Sequence, residues 1–154
     1  IDTATESLAY YPVKVEKFLS RYEVLVPERG EAAVRTGWSA EETETAEQFI
    51  LHAKALREER QAAALEGRPP RLLEMLNEWG GVTIAYRRRL IDAPSYTLNH
   101  EEVALALQEG IRFAECLTPV EVEVDRFGQC AALHMTHYAI DPATGKPGKH
   151  GVPV

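Results

Sequence analysis

The sequence predicts an α/β protein in which a βαβ unit and a β-hairpin accompany a mainly α-helical block. Three observations predict this class. Apolar residues recur at helical spacing as far as residue 79, residues 82–117 read as strand, helix and strand, and residues 119–125 alternate valine with acidic side chains. A strand–helix–strand order implies two parallel strands joined by a right-handed crossover.

The helical block is predicted to contain one long helix between shorter ones. A first helix covers residues 2–10 and is interrupted before Pro12, which suits the first turn of a second helix. Residues 27–37 are predicted to form a connector. Ser39 and Glu42 then make a capping box, because each side chain can satisfy the other residue's backbone N–H. The helix that starts there is expected to be roughly 40 Å long.

The second half alternates between strand-forming and helix-forming sequence. Its predicted elements are a strand at 82–86, a helix from Asn99, a strand at 111–117, a hairpin of 119–125 with 130–140, and a loop at 141–151. Asn99 and Glu102 form a second capping box. The helix is expected to bury Val103, Leu105 and Ala106, with Leu107 as a further candidate.

Composition excludes several classes of function. The chain has 154 residues, 45% hydrophobic and 27% charged, which suits one globular domain or one domain with a sub-domain. The net charge of -7 argues against non-specific nucleic-acid binding. No apolar run approaches the roughly 20 residues that cross a bilayer. We therefore expect a cytoplasmic protein with no nucleic-acid or membrane partner.

The cysteines and the chain ends lead to two further predictions, one on the state of the thiols and one on the length of the parent protein. Cys116 and Cys130 have neither metal-type spacing nor a CxxC arrangement, and they are expected to be buried free thiols in a reducing cytosol. The abrupt start at Ile1 and end at Val154 predict a piece of a longer protein.

The most informative motif is Tyr86-Arg87-Arg88-Arg89, which ends the strand at 82–86. Ligands in an open α/β sheet lie at the carboxyl ends of the strands. A guanidinium group suits phosphate because its planar fork donates two charge-assisted hydrogen bonds. One interpretation is a pocket for the 2′-phosphate of NADPH. The other is a solvated basic loop, and the chain contains no GxGxxG turn for a pyrophosphate.

No catalytic or metal-ligating set is predicted. His134 and His137 lie three residues apart on a predicted strand, so they point to opposite faces. His52 lies on the long helix and is expected to be structural. The neighbouring residues suggest neither a Ser/His/Asp nor a Cys/His arrangement.

Several motifs of the second half match one family in order. They are Tyr86-Arg87-Arg88, then Glu101-Glu102-Val103 with Ala106 and Glu109-Gly110-Ile111, then Leu117-Thr118-Pro119-Val120-Glu121. This order resembles the NADPH-binding domain of the glutamate synthase small-subunit family of flavin-dependent pyridine-nucleotide oxidoreductases. The resemblance implies a partial Rossmann-like fold.

The resemblance also implies roles for particular residues. Arg87 and Arg88 are expected to bind the 2′-phosphate of NADPH, Tyr86 to lie by the adenosine, and Arg89 to be an additional cation. Hydride would pass between NADPH and FAD. The FAD, and any iron–sulfur cluster, would be bound outside this chain.

The start of the chain fits the same family. Residues 1–4 resemble the helix that follows a Gly-Gly-Gly-x-Thr-Ala phosphate loop, which places Asp2 and Thr3 near the pyrophosphate. In the family that helix leads almost directly to the Tyr-Arg-Arg strand, whereas about 70 residues intervene here. The predicted domains are therefore a first helix at 1–10, a helical insertion at 11–81, and the rest of the NADPH-binding domain at 82–154.

The sequence leaves a second functional class open. The helical block is alternatively a docking or oligomerisation module, with the α/β part as its scaffold and no catalytic role of its own. Partners in either case would be other domains of the parent chain or a second copy of the protein. This alternative predicts a large exposed apolar patch on the helical block.

Overall fold

The computed structural model describes the backbone of residues 1–154 and all side chains except those of Ser95 and Lys149. Its contacts divide the chain into two compact units. One unit combines Ile1–Thr5 with Val82–Val154, and the other is Glu6–Gly81. The α/β class is confirmed, since helices and strands occur together and the strands form small sheets. The functional assignment of the three predicted domains stays a prediction.

The helical part consists of α1 (Asp2–Arg29), α2 (Glu31–Val34), α3 (Ala40–Glu66) and α4 (Leu72–Glu78). The predicted interruption before Pro12 is wrong, because α1 continues through both Pro12 and Pro27. A proline inside a helix costs about 3 kcal/mol or more because it removes one backbone hydrogen bond. Pro12 is buried together with other side chains of the same helix, and this tertiary burial overrides the local signal.

The start of α3 confirms the predicted capping box. The Ser39 hydroxyl accepts a hydrogen bond from the Glu42 backbone N–H at 3.1 Å, and the Glu42 carboxylate accepts one from the Ser39 N–H at 2.8 Å. These bonds satisfy two backbone donors at the first turn that have no partner within the helix. Gly67, in the left-handed conformation with φ 67°, ends the helix.

The core of the helical unit joins α1 and α3. Val15 and Leu19 pack with Ala53 and Leu56, and half-buried apolar side chains surround them: Tyr11, Phe49, Ile50, Leu72, Met75 and Trp79. Helical spacing places the four central residues on the facing sides of the two helices. The helical unit therefore has an apolar core of its own.

His52 lies at the edge of this core and is structural, as predicted. Its imidazole stacks on the Trp79 ring at 3.8 Å, and its Nδ1 is 2.7 Å from the Tyr11 hydroxyl. Burial lowers the pKa of His52 and raises that of Tyr11. Both shifts favour the neutral form of the pair.

The other unit carries two separate sheets. Its elements after residue 81 are β1 (Thr83–Ala85), a 3₁₀ turn (Leu90–Asp92), α5 (Pro94–Leu98), α6 (His100–Gln108), β2 (Arg112–Ala114), β3 (Leu117–Val124), β4 (Cys130–Ile140) and β5 (Pro147–Pro153). β1 pairs with β2 in parallel, as the strand–helix–strand pattern predicts. β3, β4 and β5 form an antiparallel sheet in that order, which confirms the hairpin.

Three local predictions in this unit are wrong. The predicted loop at 141–151 is partly strand, because β5 pairs with β4 and long-range pairing overrides its Gly and Pro signals. Asn99 makes no side-chain capping bond, since its backbone at φ -134°, ψ 47° lies outside the usual N-cap geometry. Leu105 is 55% exposed, so α6 buries only Val103 and Ala106.

Among the described residues, no helix is both long and apolar enough to cross a membrane.

Leu56 and Leu65 provide a matched test of the helical core, since both lie on α3 with side chains that are 0% and 90% exposed. Leu56→Ala should lower the free energy of unfolding by about 2–5 kcal/mol, because it removes buried methyl groups and leaves a cavity. Leu65→Ala should change it by less than about 0.5 kcal/mol. Urea unfolding followed by circular dichroism measures both. Equal losses would refute the proposed core.

Acid should weaken the fold through His52. Its folded pKa lies below the ordinary 6.5, so the unfolded chain binds the proton more readily. The contribution of His52 to stability is complete above pH 6.5 and is lost as pH falls from there through the folded pKa. The melting temperature should therefore fall between pH 7.5 and 5.5, and His52→Gln should flatten that dependence even if its absolute stability is lower. An unchanged slope in the variant would contradict this role.

Candidate anion-binding cleft

Backbone hydrogen bonds hold the segment that follows β1, residues 86–89, which we call the arginine segment. Tyr86 N–H donates to the Ala114 carbonyl at 2.8 Å, and Leu117 N–H donates to the Tyr86 carbonyl at 3.0 Å. Cys116 N–H donates to the Arg88 carbonyl at 3.2 Å. The parallel pairing of β1 and β2 thus continues beyond the strands, and it fixes the backbone from which the arginine side chains extend.

Cys116 connects this segment to the three-stranded sheet. Its backbone adopts a left-handed conformation with φ 58°, and its carbonyl accepts a hydrogen bond from Tyr138 N–H at 2.9 Å. The thiol is 3% exposed, and burial raises its pKa. The prediction of a buried free thiol is confirmed for Cys116. It is wrong for Cys130, which is free but exposed at the first position of β4, next to the hairpin turn.

A cleft of about 770 Å³ opens beside the arginine segment. One wall carries Arg87, Arg88 and Arg89, and the turn between β4 and β5 contributes Lys146. Asp92 is the one acidic side chain among the described lining residues. Four cations and one carboxylate therefore surround this space, although the whole chain has a net charge of -7.

Arg89 differs from its two neighbours. Its Nε and Nη2 donate to the two carboxylate oxygens of Asp92 at 2.7 and 2.9 Å. The hydrogen bond lowers the pKa of Asp92 and raises that of Arg89, so both groups stay charged. Arg87 and Arg88 are exposed, and within the described side chains neither has a hydrogen-bond or ion-pair partner. Two guanidinium groups thus remain available to a ligand.

The other predicted site residues lie outside the cleft lining. Tyr86 is half-buried and is held through its backbone. Asp2 and Thr3 are exposed in the first turn of α1, and Ile1–Thr5 belongs to the same compact unit as the cleft. The structure therefore brings together the three arginines of the prediction.

Sequence reasoning missed the wall formed by the turn between β4 and β5. Thr144 and Lys146 line the cleft there, and Tyr138 lines it from β4. A local signal for this turn exists, since Asp141 is followed by Pro, Ala, Thr and Gly. The Asp141 carboxylate accepts hydrogen bonds from Ala143 N–H at 2.8 Å and from the Thr144 hydroxyl at 3.1 Å. The sequence alone does not reveal the pairing of β5 with β4, which places this turn beside the arginines.

Metal-type side chains are not clustered in the part of the chain that the structure describes, where no group of three or more His, Cys, Asp or Glu is placed to hold an ion. His134 instead lies 3.0 Å from the Glu123 carboxylate across the hairpin. The guanidinium and ammonium groups that line the cleft can donate charge-assisted hydrogen bonds to an anion.

Comparison with known proteins gives one distant relative of undetermined role. The chain is 34% identical over 136 residues to uncharacterized protein RP006 of Rickettsia prowazekii (strain Madrid E). The match covers 88% of this chain and 17% of that protein, so the chain spans less than a fifth of its relative's length. No family model and no solved structure matches the sequence.

Proposed function

We propose that this chain is part of a cytoplasmic NADPH- and FAD-dependent oxidoreductase, in which it binds the adenosine 2′-phosphate of NADPH. The observation that carries the proposal is the pair Arg87 and Arg88, which line the cleft after a parallel strand and have no partner among the described side chains. The motif order around them resembles the NADPH-binding domain of the glutamate synthase small-subunit family.

The chemistry of the cleft suits a phosphate monoester. The 2′-phosphate is the group that distinguishes NADPH from NADH, which has a hydroxyl at the same position. A phosphate carries nearly two negative charges at pH 7 and three acceptor oxygens. Two guanidinium groups can donate to those oxygens in bidentate geometry, whereas a hydroxyl offers them little. The cleft volume of about 770 Å³ lies within the usual range of small-molecule sites.

The redox chemistry would belong to cofactors that lie largely beyond this chain. Bound FAD would exchange hydride with the nicotinamide ring of NADPH. The residues of this chain would select and orient the nucleotide, with Tyr86 beside the adenosine and Asp2 and Thr3 toward the pyrophosphate. On this proposal the isolated chain has no catalytic activity, and the other domains of the parent protein are its first partners.

The nucleotide preference of the complete protein tests this proposal. Isothermal titration should give a clear preference for NADPH over NADH. Arg87→Ala combined with Arg88→Ala should weaken NADPH binding about 100-fold, since each lost charged hydrogen bond costs about 1.5 kcal/mol or more. NADH affinity should change little.

The matched control is Arg21→Ala combined with Arg29→Ala, which removes two exposed arginines of α1 and the same charge. This control should leave both affinities unchanged. Equal affinity of the parent protein for NADPH and NADH would overturn the proposed phosphate site.

A second candidate function is that the helical unit associates with a second copy of the chain. It is favoured by a cleft of about 430 Å³ that is lined by Phe18, Trp38 and Phe49, because aromatic residues are enriched at protein interfaces. Light scattering should then show a mass that rises with concentration, and Trp38→Ala should abolish the rise. A constant monomer mass at high concentration would exclude self-association as its role.

A further inference from the structure

We infer that Lys146, on the turn between β4 and β5, is the third phosphate-binding cation of the cleft, and that Arg89 is not. This inference rests on the proposed function and deepens it. It changes the predicted cation set from three consecutive arginines to Arg87, Arg88 and a lysine almost 60 residues later in the sequence. The ligand class is a phosphate monoester dianion, as in the 2′-phosphate of NADPH.

Arg89 is already occupied. Two of its guanidinium nitrogens donate to Asp92, and the pair is bidentate, which is the strongest arrangement of these groups. Its third nitrogen, Nη1, lies against Gly145, where a Cβ atom would come within 3.9 Å of it. Recruiting Arg89 to a ligand would therefore break a neutralised ion pair. Arg89 instead connects the arginine segment to the 3₁₀ turn that contains Asp92.

Lys146 has the opposite character. Its side chain is exposed in the cleft, and within the described residues no hydrogen bond or ion pair engages its ammonium group. Lys146 lies near enough to act on the same carboxylate as the arginines, since Lys146 and Arg88 both help to lower the pKa of Asp92 after the larger effect of Arg89. One ammonium and two guanidinium groups that line the same cleft, without partners among the described side chains, can together be stabilised by a bound anion.

The backbone of Lys146 is held in place. Its carbonyl accepts a hydrogen bond from Asp141 N–H at 2.9 Å, and its N–H donates to the Thr144 hydroxyl oxygen at 3.4 Å. The Asp141 carboxylate in turn fixes Ala143 and Thr144. Asp141 is thus a positioning residue, and the turn presents the lysine with little loss of backbone freedom on binding.

Three unpaired cations suit a phosphate monoester dianion better than the single charge of a phosphate diester. Arg87 and Arg88 approach from one wall, and Lys146 approaches from the turn. A dianion between the two walls would contact both, whereas the 2′-hydroxyl of NADH would contact neither strongly. Lys146 should therefore contribute to nucleotide selectivity, and its removal should affect NADPH far more than NADH.

The experiment is isothermal titration of the complete protein with NADPH and NADH, supported by 2′,5′-ADP and 5′-ADP as competitors. Lys146→Met should weaken NADPH and 2′,5′-ADP about tenfold and change NADH and 5′-ADP less than about twofold. Lys146→Arg should restore most of the loss. Lys54→Met removes an exposed lysine of α3 and should alter nothing.

Asp141 supplies a test of positioning. Asp141→Ala should reproduce part of the Lys146→Met loss for NADPH alone, while Asp141→Asn, which keeps one acceptor oxygen, should lose less. A melting-temperature measurement on each variant shows whether it is folded. A loss that is equal for NADPH and NADH would indicate general disruption and would overturn the inference.

Failure of the inference is distinguishable from failure of the proposed function. If the Arg87/Arg88 variant loses its NADPH preference and Lys146→Met does not, the inference is overturned and the phosphate site stands. If the parent protein shows no NADPH preference, both are overturned. A selective loss in both variants supports both.

Discussion

The continuation of the β1–β2 pairing into residues 86–88 fixes the arrangement on which the cleft depends. Three backbone hydrogen bonds, from residues 86, 116 and 117, hold the arginine segment in a defined path. Without them, three consecutive arginines would form the mobile solvated loop that charge runs usually form. Because the constraint acts on the backbone, it leaves the side chains of Arg87 and Arg88 free. A short pair of parallel strands can thus hold a run of basic residues in place as one wall of a cleft.

Holding like charges together is costly, and Asp92 is the one carboxylate among the described lining residues of the cleft. Two unit charges 4 Å apart interact by about 1 kcal/mol in water, and by more where solvent is partly excluded. Asp92 neutralises Arg89, which immediately precedes the 3₁₀ turn. The remaining cations are exposed, where screening keeps their mutual repulsion small. In an acidic protein this local excess of positive charge also favours the approach of anions to one place.

The limits of sequence reasoning follow from the range of the interactions concerned. The capping box at Ser39, the β-type run before Tyr86 and the hairpin of β3 with β4 depend on neighbours within a few residues, and the structure contains all three. The continuation of α1 through Pro12 accompanies burial of that side chain, which the neighbouring sequence does not specify. Lys146 belongs to the cleft because β5 pairs with β4 and because Cys116 connects that sheet to the arginine segment. The residue pattern of a single sequence does not reveal such long-range strand pairings.

The residues that form the helical core and the residues that line the basic cleft belong to different units of the chain. The helical unit buries its own core, formed by Val15, Leu19, Ala53 and Leu56, and none of these residues lines the basic cleft. The described lining residues all fall within Val82–Val154, which forms one unit with Ile1–Thr5. The helical unit, Glu6–Gly81, therefore supplies none of the described side chains that line the cleft. The proposed selectivity of the cleft would therefore depend on residues of the α/β unit.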